Sequence, residues 1–198
     1  MNPITITVAS REHLAYVADI ESALTDAAGN KGNGIAIRSR AYLTEKILEG
    51  KAIIAFHEDG RWAGFCYIES WGHKKFVANS GLIVSPEFRG KGLAGEIKKK
   101  ALELSGKLFP GAKLFGLTTS LAVMKINSEL GYKPVTISEL TDDEVFWQGC
   151  QTCPYYDILV RTKRTHCLCT AMLLDPDKKK KVNGNRHHSE KPVFLNHR

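Results

Sequence analysis

The stretch Leu82–Ala101, LIVSPEFRGKGLAGEIKKKA, combines residue types that can bind a diphosphate. Gly90 and Gly92 let the main chain approach a ligand closely, so that successive N–H groups can point at one anion. The helix predicted after them places the positive end of its dipole at the same point. Arg89 and Lys91 add side-chain charge. The pattern therefore predicts an anion-binding turn between a strand and a helix.

The residues on either side predict the elements that hold this turn in place. Leu82, Ile83 and Val84 form an apolar run typical of the end of a buried strand, and Pro86 stops that strand. Apolar residues then recur on one side of a helix at Leu93, Ala94, Ile97, Ala101 and Leu102. This order of strand, glycine turn and helix places the anion at the start of the helix.

Length and composition predict one domain with a sizeable core. The chain has 198 residues, of which 43% are hydrophobic. No apolar run approaches the ~18 residues that a membrane-spanning helix needs, and no charged and then apolar leader opens the chain. We therefore expect a cytoplasmic protein without a membrane partner.

The net charge of +7 is unevenly distributed. Residues 175–198 contain seven Lys/Arg and three Asp/Glu, so +4 belongs to this tail and +3 to the rest. The tail lacks the interleaved aromatic residues of a nucleic-acid-binding face, so we expect a disordered tail and no nucleic-acid partner. The predicted units are a domain core (1–146), a last strand with a cysteine-rich appendage (147–174) and the tail.

Alternating segments predict an α/β architecture with a mixed sheet. The predicted strands are residues 4–8, 52–56, 62–71, 77–84, 113–119, 132–137 and 155–161. The predicted helices begin at the capping residues Ser10 and Ser39, follow the glycine turn, and cover 122–130, where Gly131 ends the last one. The three predicted antiparallel strands at 52–56, 62–71 and 77–84 thus lead into the anion-binding turn.

The turn also resembles a known motif. Arg89-x-x-Gly92-x-Ala94 after Val84-Ser85-Pro86 is similar to the acyl-CoA motif of GCN5-related N-acetyltransferases, the GNAT superfamily. The resemblance implies a GNAT-type, mostly antiparallel central sheet flanked by helices, with acetyl-CoA as cosubstrate. It assigns cosubstrate binding to Leu82, Ile83, Val84, Arg89, Gly90, Lys91, Gly92, Leu93 and Ala94.

A longer segment narrows the resemblance. Leu117–Leu140, LTTSLAVMKINSELGYKPVTISEL, is similar to the acetyltransferase domain of glutamate N-acetyltransferases, which open arginine biosynthesis. The match covers about Leu82–Leu140, but Ser120 and Asn127 stand where many family members have Asn and Tyr. The resemblance implies a small-molecule amine acceptor, with the amino acid glutamate as the first choice.

The same resemblance places the segment between the first two helices at the acceptor wall. Arg38 and Arg40 lie in this segment and could bind an acceptor carboxylate. Both could equally be solvent-facing residues at the start of a helix. The acceptor site therefore depends on where the fold places them.

Acetyl transfer to an amine needs a neutral amine, a polarised carbonyl group and a stabilised thiolate leaving group. Glu69 or Glu21 is a candidate base for an α-amino group of pKa near ~8, directly or through water. Each could instead be an exposed carboxylate. In the family manner, main-chain N–H groups at Gly81–Val84 would bind the carbonyl oxygen. No covalent enzyme intermediate is required.

The acid that would protonate the thiolate is missing from its usual position. Asn127 stands there, and an amide can hydrogen-bond the sulfur but cannot donate a proton usefully. Thr118, Ser120 or Tyr132 could occupy the gap between the separating strands. The thiolate of coenzyme A could also leave without a dedicated acid.

Four of the five cysteines fall in one stretch, on either side of the predicted strand 155–161. They form the pairs Cys150-x-x-Cys153 and Cys167-x-Cys169. Soft thiolates at this spacing suit a tetrahedral structural zinc, with His166 as a substitute ligand. Redox-active or merely buried thiols are the alternatives. Cys66 lies alone in a strand and is expected to fill the core.

These inferences lead to three functional hypotheses. The first is an acetyl-CoA-dependent N-acetyltransferase that transfers acetyl directly to the amino group of a small molecule such as glutamate. The second is a protein or polyamine N-acetyltransferase. The third is a non-catalytic acyl-CoA sensor or interaction module, suggested by the missing tyrosine and the cysteines. A homodimer is a candidate assembly for any of them.

Overall fold

A computed structural model describes residues 3–30 and 32–177 of the chain. Within these residues, seven strands form one sheet: β1 (Ile4–Val8), β2 (Ala52–His57), β3 (Trp62–Trp71), β4 (Phe76–Val84), β5 (Lys113–Thr118), β6 (Lys133–Val135) and β7 (Thr170–Leu174). The helices are α1 (Val17–Gly29), α2 (Arg40–Leu48), α3 (Leu93–Leu108), α4 (Leu121–Glu129), α5 (Glu144–Gln148) and α6 (Tyr156–Arg161). The predicted disordered tail lies outside the described residues from 178 onward.

The strand order is β1-β2-β3-β4-β5-β7-β6. β4 and β5 run parallel, whereas the other neighbouring strands are antiparallel. The parallel pair arises because α3 crosses over between β4 and β5 and returns the chain in the same direction. This mixed, mostly antiparallel sheet confirms the predicted fold.

Helices cover both faces of the sheet, because successive residues of a strand point to opposite faces. In β2, Ile53 belongs to the apolar cluster that includes Ile97 and Ala101 of α3. The next residue, Ile54, belongs to the cluster on the other face, with Ile20 of α1. These two clusters anchor α1 and α3 against the middle of the sheet, where the site lies.

The capping serines and the glycine predicted from the sequence lie at the ends of helices in the structure. The Ser39 side chain accepts a hydrogen bond from the main-chain N–H of Tyr42 at 3.3 Å, as expected of a helix N-cap. Ser10 precedes the helical turn Arg11–Tyr16, which continues into α1. Gly131 follows Leu130, the C-cap of α4, with φ of +95°, a conformation that glycine adopts without strain. These predictions are confirmed.

The prediction of the last strand is wrong. Residues Tyr156–Arg161 form helix α6, and the last strand is β7, which lies between β5 and β6. A short apolar run such as YYDILVR does not by itself distinguish a strand from a helix. Leu159 is buried and Tyr156, three residues earlier, packs in the same cluster, which is helical spacing. β7 is buried along nearly its whole length, as expected for a strand between two others.

The connection after α4 also differs from the prediction. β6 keeps only Lys133–Val135 of the predicted strand, because Thr136 and Glu139 form a capping box that starts a helical turn. Helix α5 follows, and the Asp143 side chain accepts a hydrogen bond from the N–H of Val145 at 3.0 Å. None of the helices in the described ranges is long and apolar enough to cross a membrane.

Candidate active site

A cavity of about 740 Å³ opens where β4 and β5 separate. The last paired residues of these parallel strands are Ala78 and Phe115. β4 then continues to Val84 and β5 to Thr118, and residues of both strands line the cavity. The separated strands leave main-chain edges inside the cavity, where a ligand can form hydrogen bonds with them.

The anion-binding turn lies beside this cavity, where α3 begins. Gly90 and Gly92 have φ of +75° and +79°, and no described atom lies within 4 Å of a Cβ built on either residue. These positions therefore need glycine for its left-handed conformation rather than for close packing. Gly92 is the N-cap of α3, whose 16 residues supply free N–H groups and a dipole that favour an anion.

Arg89 adds a guanidinium at the same point. It lines the cavity, and its Nε donates a hydrogen bond to the main-chain oxygen of Val84 at 2.9 Å. This bond orients the side chain, and Arg89 forms no salt bridge with a carboxylate of residues 3–30 or 32–177. The guanidinium is thus available to a phosphate group.

The predicted cosubstrate residues divide into two groups. Those that line the cavity are Leu82, Ile83, Val84, Arg89 and Ala94. Gly90 and Gly92 shape the turn through their main chain. Lys91 Nζ lies 3.5 Å from the main-chain oxygen of Glu87, and Leu93, the first residue of α3, is buried in the core. Of the predicted contacts with the cosubstrate, those of Lys91 and Leu93 therefore have the least support from this geometry.

A β-bulge shapes the edge of β4 that faces the cavity. The register between β3 and β4 shifts between Phe65 and Tyr67. Gly81 lies at this shift with φ of +64°, and a Cβ there would lie 2.5 Å from Cε1 of Tyr67. Both features require glycine. Main-chain N–H groups of Gly81–Val84 thus lie at the site where we expect a carbonyl oxygen, and their role stays a prediction.

Arg38 lines the cavity from the segment between α1 and α2. Its Nε donates to the hydroxyl oxygen of Tyr67 at 3.0 Å, and its NH1 donates to the main-chain oxygen of Gly149 at 2.9 Å. Its guanidinium carbon lies 5.5 Å from the centre of the Tyr42 ring. No carboxylate in the described part of the chain forms a salt bridge with it. A fixed, unpaired guanidinium in a cavity wall suits an incoming carboxylate.

The structure does not bring Arg40, Glu21 or Glu69 to this cavity. Arg40 Nε donates to Glu21 at 2.9 Å, and the two side chains form an ion pair. Glu69 pairs with Lys46 at 2.6 Å and accepts a hydrogen bond from the Tyr42 hydroxyl. Both carboxylates therefore have structural partners, and their predicted role as a base has no support from position.

Sequence reasoning missed Asp26. Among the described residues, it is the carboxylate that lines the cavity, together with Ala23 and Ala27 of the same helix. Its position near the end of α1, just before a segment that contains Gly29, Gly32 and Gly34, is the signal that could have identified it. Asp26 is thus the carboxylate best placed to act on an acceptor amine.

Of the residues considered for the leaving-group step, Thr118, Ser120 and Asn127 line the cavity where the strands separate. Thr118 accepts a hydrogen bond from the N–H of Ser120 at 3.1 Å, and Ser120 in turn accepts one from the N–H of Val123 at 3.4 Å. Asn127 is buried on α4, and it lines the cavity together with Thr118 and Ser120. Tyr132 is fully buried and does not line the cavity.

The four clustered cysteines also line the cavity: Cys150, Cys153, Cys167 and Cys169. A hydrogen bond from the Cys169 thiol lowers the pKa of Cys167 to about 6. Burial raises the pKa of Cys150 to about 11. Cys66, by contrast, is buried in the core, as predicted. The cysteines therefore contribute soft, partly charged atoms to the cavity wall.

The prediction of structural zinc has no support from this arrangement. In the described ranges, no group of three or more His, Cys, Asp or Glu side chains could hold a metal ion. His166 Nδ1 lies 2.9 Å from the hydroxyl of Thr165 and does not line the cavity. The five cysteines are free thiols.

Comparison with known proteins agrees with this geometry. The sequence model of the acetyltransferase (GNAT) family matches residues 24–124, just over half of the chain. No curated protein matches the sequence significantly. The matched residues include Arg38, the anion-binding turn and the separated strands.

Solved structures share the fold at low identity. Rv2747 from Mycobacterium tuberculosis, in complex with CoA and NLQ, has a TM-score of 0.62 and 19% identity, covering 86% of this chain and 98% of its own. N-acetylglutamate synthase from Neisseria gonorrhoeae, complexed with coenzyme A and N-acetyl-glutamate, has a TM-score of 0.61 and 17% identity, covering 87% of this chain but 35% of the synthase. A phosphinothricin acetyltransferase from Sinorhizobium meliloti, in complex with AcCoA, has a TM-score of 0.60 and 15% identity, covering 87% and 88%.

These identities establish the common fold, and the family match adds the sequence relationship. The turn at the start of α3, the separated strands and the bulged edge of β4 all lie within or beside the matched residues. The chain therefore belongs to the acetyltransferase (GNAT) family, and the protein is an acetyltransferase of that family.

Proposed function

We propose that this protein is an acetyl-CoA-dependent N-acetyltransferase of a free amino acid, with glutamate as the first acceptor to test. The observation that carries the acceptor class is Arg38, a held guanidinium in the cavity wall without a carboxylate partner among the described residues. A carboxylate bound there would bring its amino group into the cavity that also holds the donor. N-acetylglutamate synthase, a protein of this fold, binds an acylated amino acid.

The residues at the start of α3 fit the diphosphate of coenzyme A. Gly90 and Gly92 direct the main chain, α3 supplies N–H groups, and Arg89 supplies a fixed positive charge. The gap between β4 and β5 then receives the extended arm of the donor, whose amide groups can pair with the exposed edge of β4. The donor thioester would lie near the end of this gap.

The reaction is a direct transfer. The acceptor amine loses a proton, and its lone pair attacks the thioester carbon, while the main chain at Gly81–Val84 stabilises the negative charge on the carbonyl oxygen. We assign removal of the amine proton to Asp26, through water, since it is the carboxylate that lines the cavity in the described ranges. The carbon–sulfur bond then breaks, and amide and coenzyme A are released.

The charges of the cavity favour an amino acid over a polyamine. Among the described residues, the cavity is lined by Arg38, Arg89 and Lys98 and by one carboxylate, Asp26. This surplus of positive charge repels a polycation and attracts anions. A polyamine or protein acceptor is therefore the second choice, and a non-catalytic acyl-CoA sensor is the third.

A mass-spectrometric product screen tests the proposal. Protein is incubated with acetyl-CoA and pooled free amino acids, and the screen is repeated with succinyl-CoA. We expect one N-acetylated amino acid to accumulate in proportion to enzyme concentration. Binding of coenzyme A without any acylated amino acid would contradict the proposed acceptor and favour a macromolecular acceptor or a sensor.

Further predictions depend on that product. N-acetylglutamate would assign the protein to arginine biosynthesis and support a cytoplasmic location.

The domain boundaries at 146/147 and 174/175 stay predictions, as does a homodimer. Structural zinc also stays a prediction, without support from the described residues.

A further inference from the structure

A buried lysine lies beneath the separated strands. Lys98 of α3 is 2% exposed and lines the cavity, as does Ala94 one turn earlier on the same face of the helix. Its Nζ donates a hydrogen bond to Oδ1 of Asn79 at 3.2 Å and lies 5.6 Å from the centre of the Tyr132 ring. It forms no salt bridge with a carboxylate of residues 3–30 or 32–177. A buried amine without a counterion is rarely kept for stability.

Three buried side chains in and behind the cavity wall each leave one polar atom unpaired. Nδ2 of Asn79, Oδ1 of Asn127 and the hydroxyl of Tyr132 have no hydrogen-bond partner among the described residues. Their residues are 8%, 1% and 0% exposed. Since buried polar atoms are nearly always paired in folded proteins, the unpaired atoms of Asn79 and Asn127 in the cavity wall point to a site that a ligand completes. Asn79 and Asn127 line the cavity, so acetyl-CoA bound there can reach them.

The reaction needs a proton for the departing thiolate of coenzyme A, and Lys98 and the two asparagines lie at the gap where that thiolate would form. Asn127 stands where the resembling family commonly has tyrosine, so α4 offers the departing thiolate an amide in place of an acid. Gly116 of β5 lies next to both asparagines, since a Cβ built there would be 3.5 Å from the main-chain oxygen of Asn79 and 3.9 Å from Nδ2 of Asn127. Lys98 reaches the gap from α3.

We propose that Lys98 is the proton donor to the thiolate of coenzyme A, and that the Nδ2 amide of Asn127, which also reaches Sδ of Met172 at 3.6 Å, donates a hydrogen bond to the same sulfur. This inference rests on the proposed acetyl transfer. As the new carbon–nitrogen bond forms and the carbon–sulfur bond breaks, the electron pair stays on sulfur and a proton passes to it from the Lys98 ammonium. The proton released by the acceptor nitrogen returns through solvent to the Lys98 amine. Amine and thioester thus give amide and thiol without net proton change.

The electrostatic setting supports this role. Burial lowers the pKa of Lys98 below that of a solvated lysine, which makes its ammonium a stronger acid. The titratable groups that face it are Cys66 and Tyr132; burial raises the pKa of Cys66 to about 11 and also raises the pKa of Tyr132, so both stay neutral. No negative charge therefore competes with the thiolate for the proton.

The test compares Lys98→Met with Lys99→Met on the exposed side of the same helix. Acetyl transfer is measured to the best acceptor and to hydroxylamine, a nucleophile that needs no acceptor site. We expect Lys98→Met to lower kcat by about 10²-fold or more, the usual contribution of a general acid, with unchanged Kd for coenzyme A. The melting temperature should hold or rise, since the change removes an unpaired buried charge. Lys99→Met should match the wild type.

The pH profile separates proton donation from a structural role. In the wild type, kcat should fall at high pH as the Lys98 ammonium loses its proton, and this limb should be absent from Lys98→Met. Lys98→Arg keeps the charge but cannot release a proton, so it should not restore kcat. A Lys98→Met variant with kcat within threefold of the wild type would overturn the proposal alone. A wild type inactive toward every nucleophile would overturn the proposed function, and this inference with it.

Discussion

The two sides of the cavity are built in different ways. The side proposed to bind acetyl-CoA, here called the donor side, is nearly continuous in sequence. It extends from the bulge in β4 through the turn at Arg89–Gly92 to Lys98 on α3. The acceptor side joins segments more than a hundred residues apart: Arg38 NH1 meets the oxygen of Gly149, and the N–H of Gly32 donates to the hydroxyl of Tyr155 at 2.9 Å. A local motif thus faces a wall that exists only in the folded chain.

The two sides also differ in the atoms that would contact ligands. The donor side presents main-chain groups held by left-handed glycines, so it suits the constant part of a ligand and tolerates changes of most side chains. The acceptor side presents side chains: a guanidinium, aromatic rings and four thiols. Side-chain changes there should alter the acceptor without affecting the donor. The following predictions test this contrast.

The largest effect is expected from breaking the donor side. Arg89→Ala together with Gly92→Glu removes the fixed guanidinium, strains the turn at φ +79° and adds a negative charge beside the diphosphate. Affinity for coenzyme A, measured by calorimetry, should fall by about 10²-fold or more. Gly95→Ala on the same helix meets no described atom within 4 Å and should keep wild-type affinity. Retained affinity in the double variant would place the donor elsewhere.

The next effect concerns the acceptor side. Arg38→Met should raise the KM for a carboxylate-bearing acceptor by about tenfold to a hundredfold, since a charged hydrogen bond contributes about 1.5–3 kcal/mol. Its affinity for coenzyme A should stay unchanged. Arg40→Met is the matched control, because Arg40 pairs with Glu21 outside the cavity. Equal KM increases in both variants would argue against a specific carboxylate site at Arg38.

A smaller effect is expected from overfilling the junction between distant segments. In Gly34→Ala the new Cβ would lie 2.7 Å from Sγ of Cys169 and 3.1 Å from Cγ2 of Thr119. We expect a loss of about 1–3 kcal/mol in the free energy of unfolding, measured in urea, because overpacking displaces these neighbours. Gly29→Ala, where no described atom lies within 4 Å of the new Cβ, should be nearly neutral. A larger loss of unfolding free energy in Gly29→Ala than in Gly34→Ala would show that the junction around Gly34 is loosely packed.

The smallest effect is a difference in thiol reactivity. Cys167 has a pKa lowered to about 6 by the hydrogen bond from Cys169, so its alkylation rate should level off above about pH 7. Cys66, with a pKa raised to about 11 by burial, should react slowly throughout. Peptide mass spectrometry after brief iodoacetamide treatment distinguishes them. A rate at Cys167 that keeps rising up to pH 9 would contradict the lowered pKa.

Predictions from the sequence succeeded where a feature depends on neighbouring residues and failed where it depends on packing against distant ones. The motif Arg89-x-x-Gly92-x-Ala94 specified the turn at the start of α3, because glycine conformation and helix capping are local. Lys98 was also detectable, since with Ala94, Ile97 and Ala101 it lies at i, i+3, i+4 and i+7 of the apolar stripe. The strand predicted at 155–161 failed because a short apolar run takes its conformation from what it packs against.

The sequence by itself determined the order of strands and helices as far as α4, their caps and the motif at the start of α3, since these depend on residues a few positions apart. Only the tertiary structure decided which charged residues reach the cavity. It placed Arg38 and Asp26 in the wall, and it paired Arg40 with Glu21 and Glu69 with Lys46 elsewhere. Spacing along a chain cannot distinguish these cases, because a charged residue near a helix start can face solvent, a partner or a ligand equally well, and long-range packing alone selects among them.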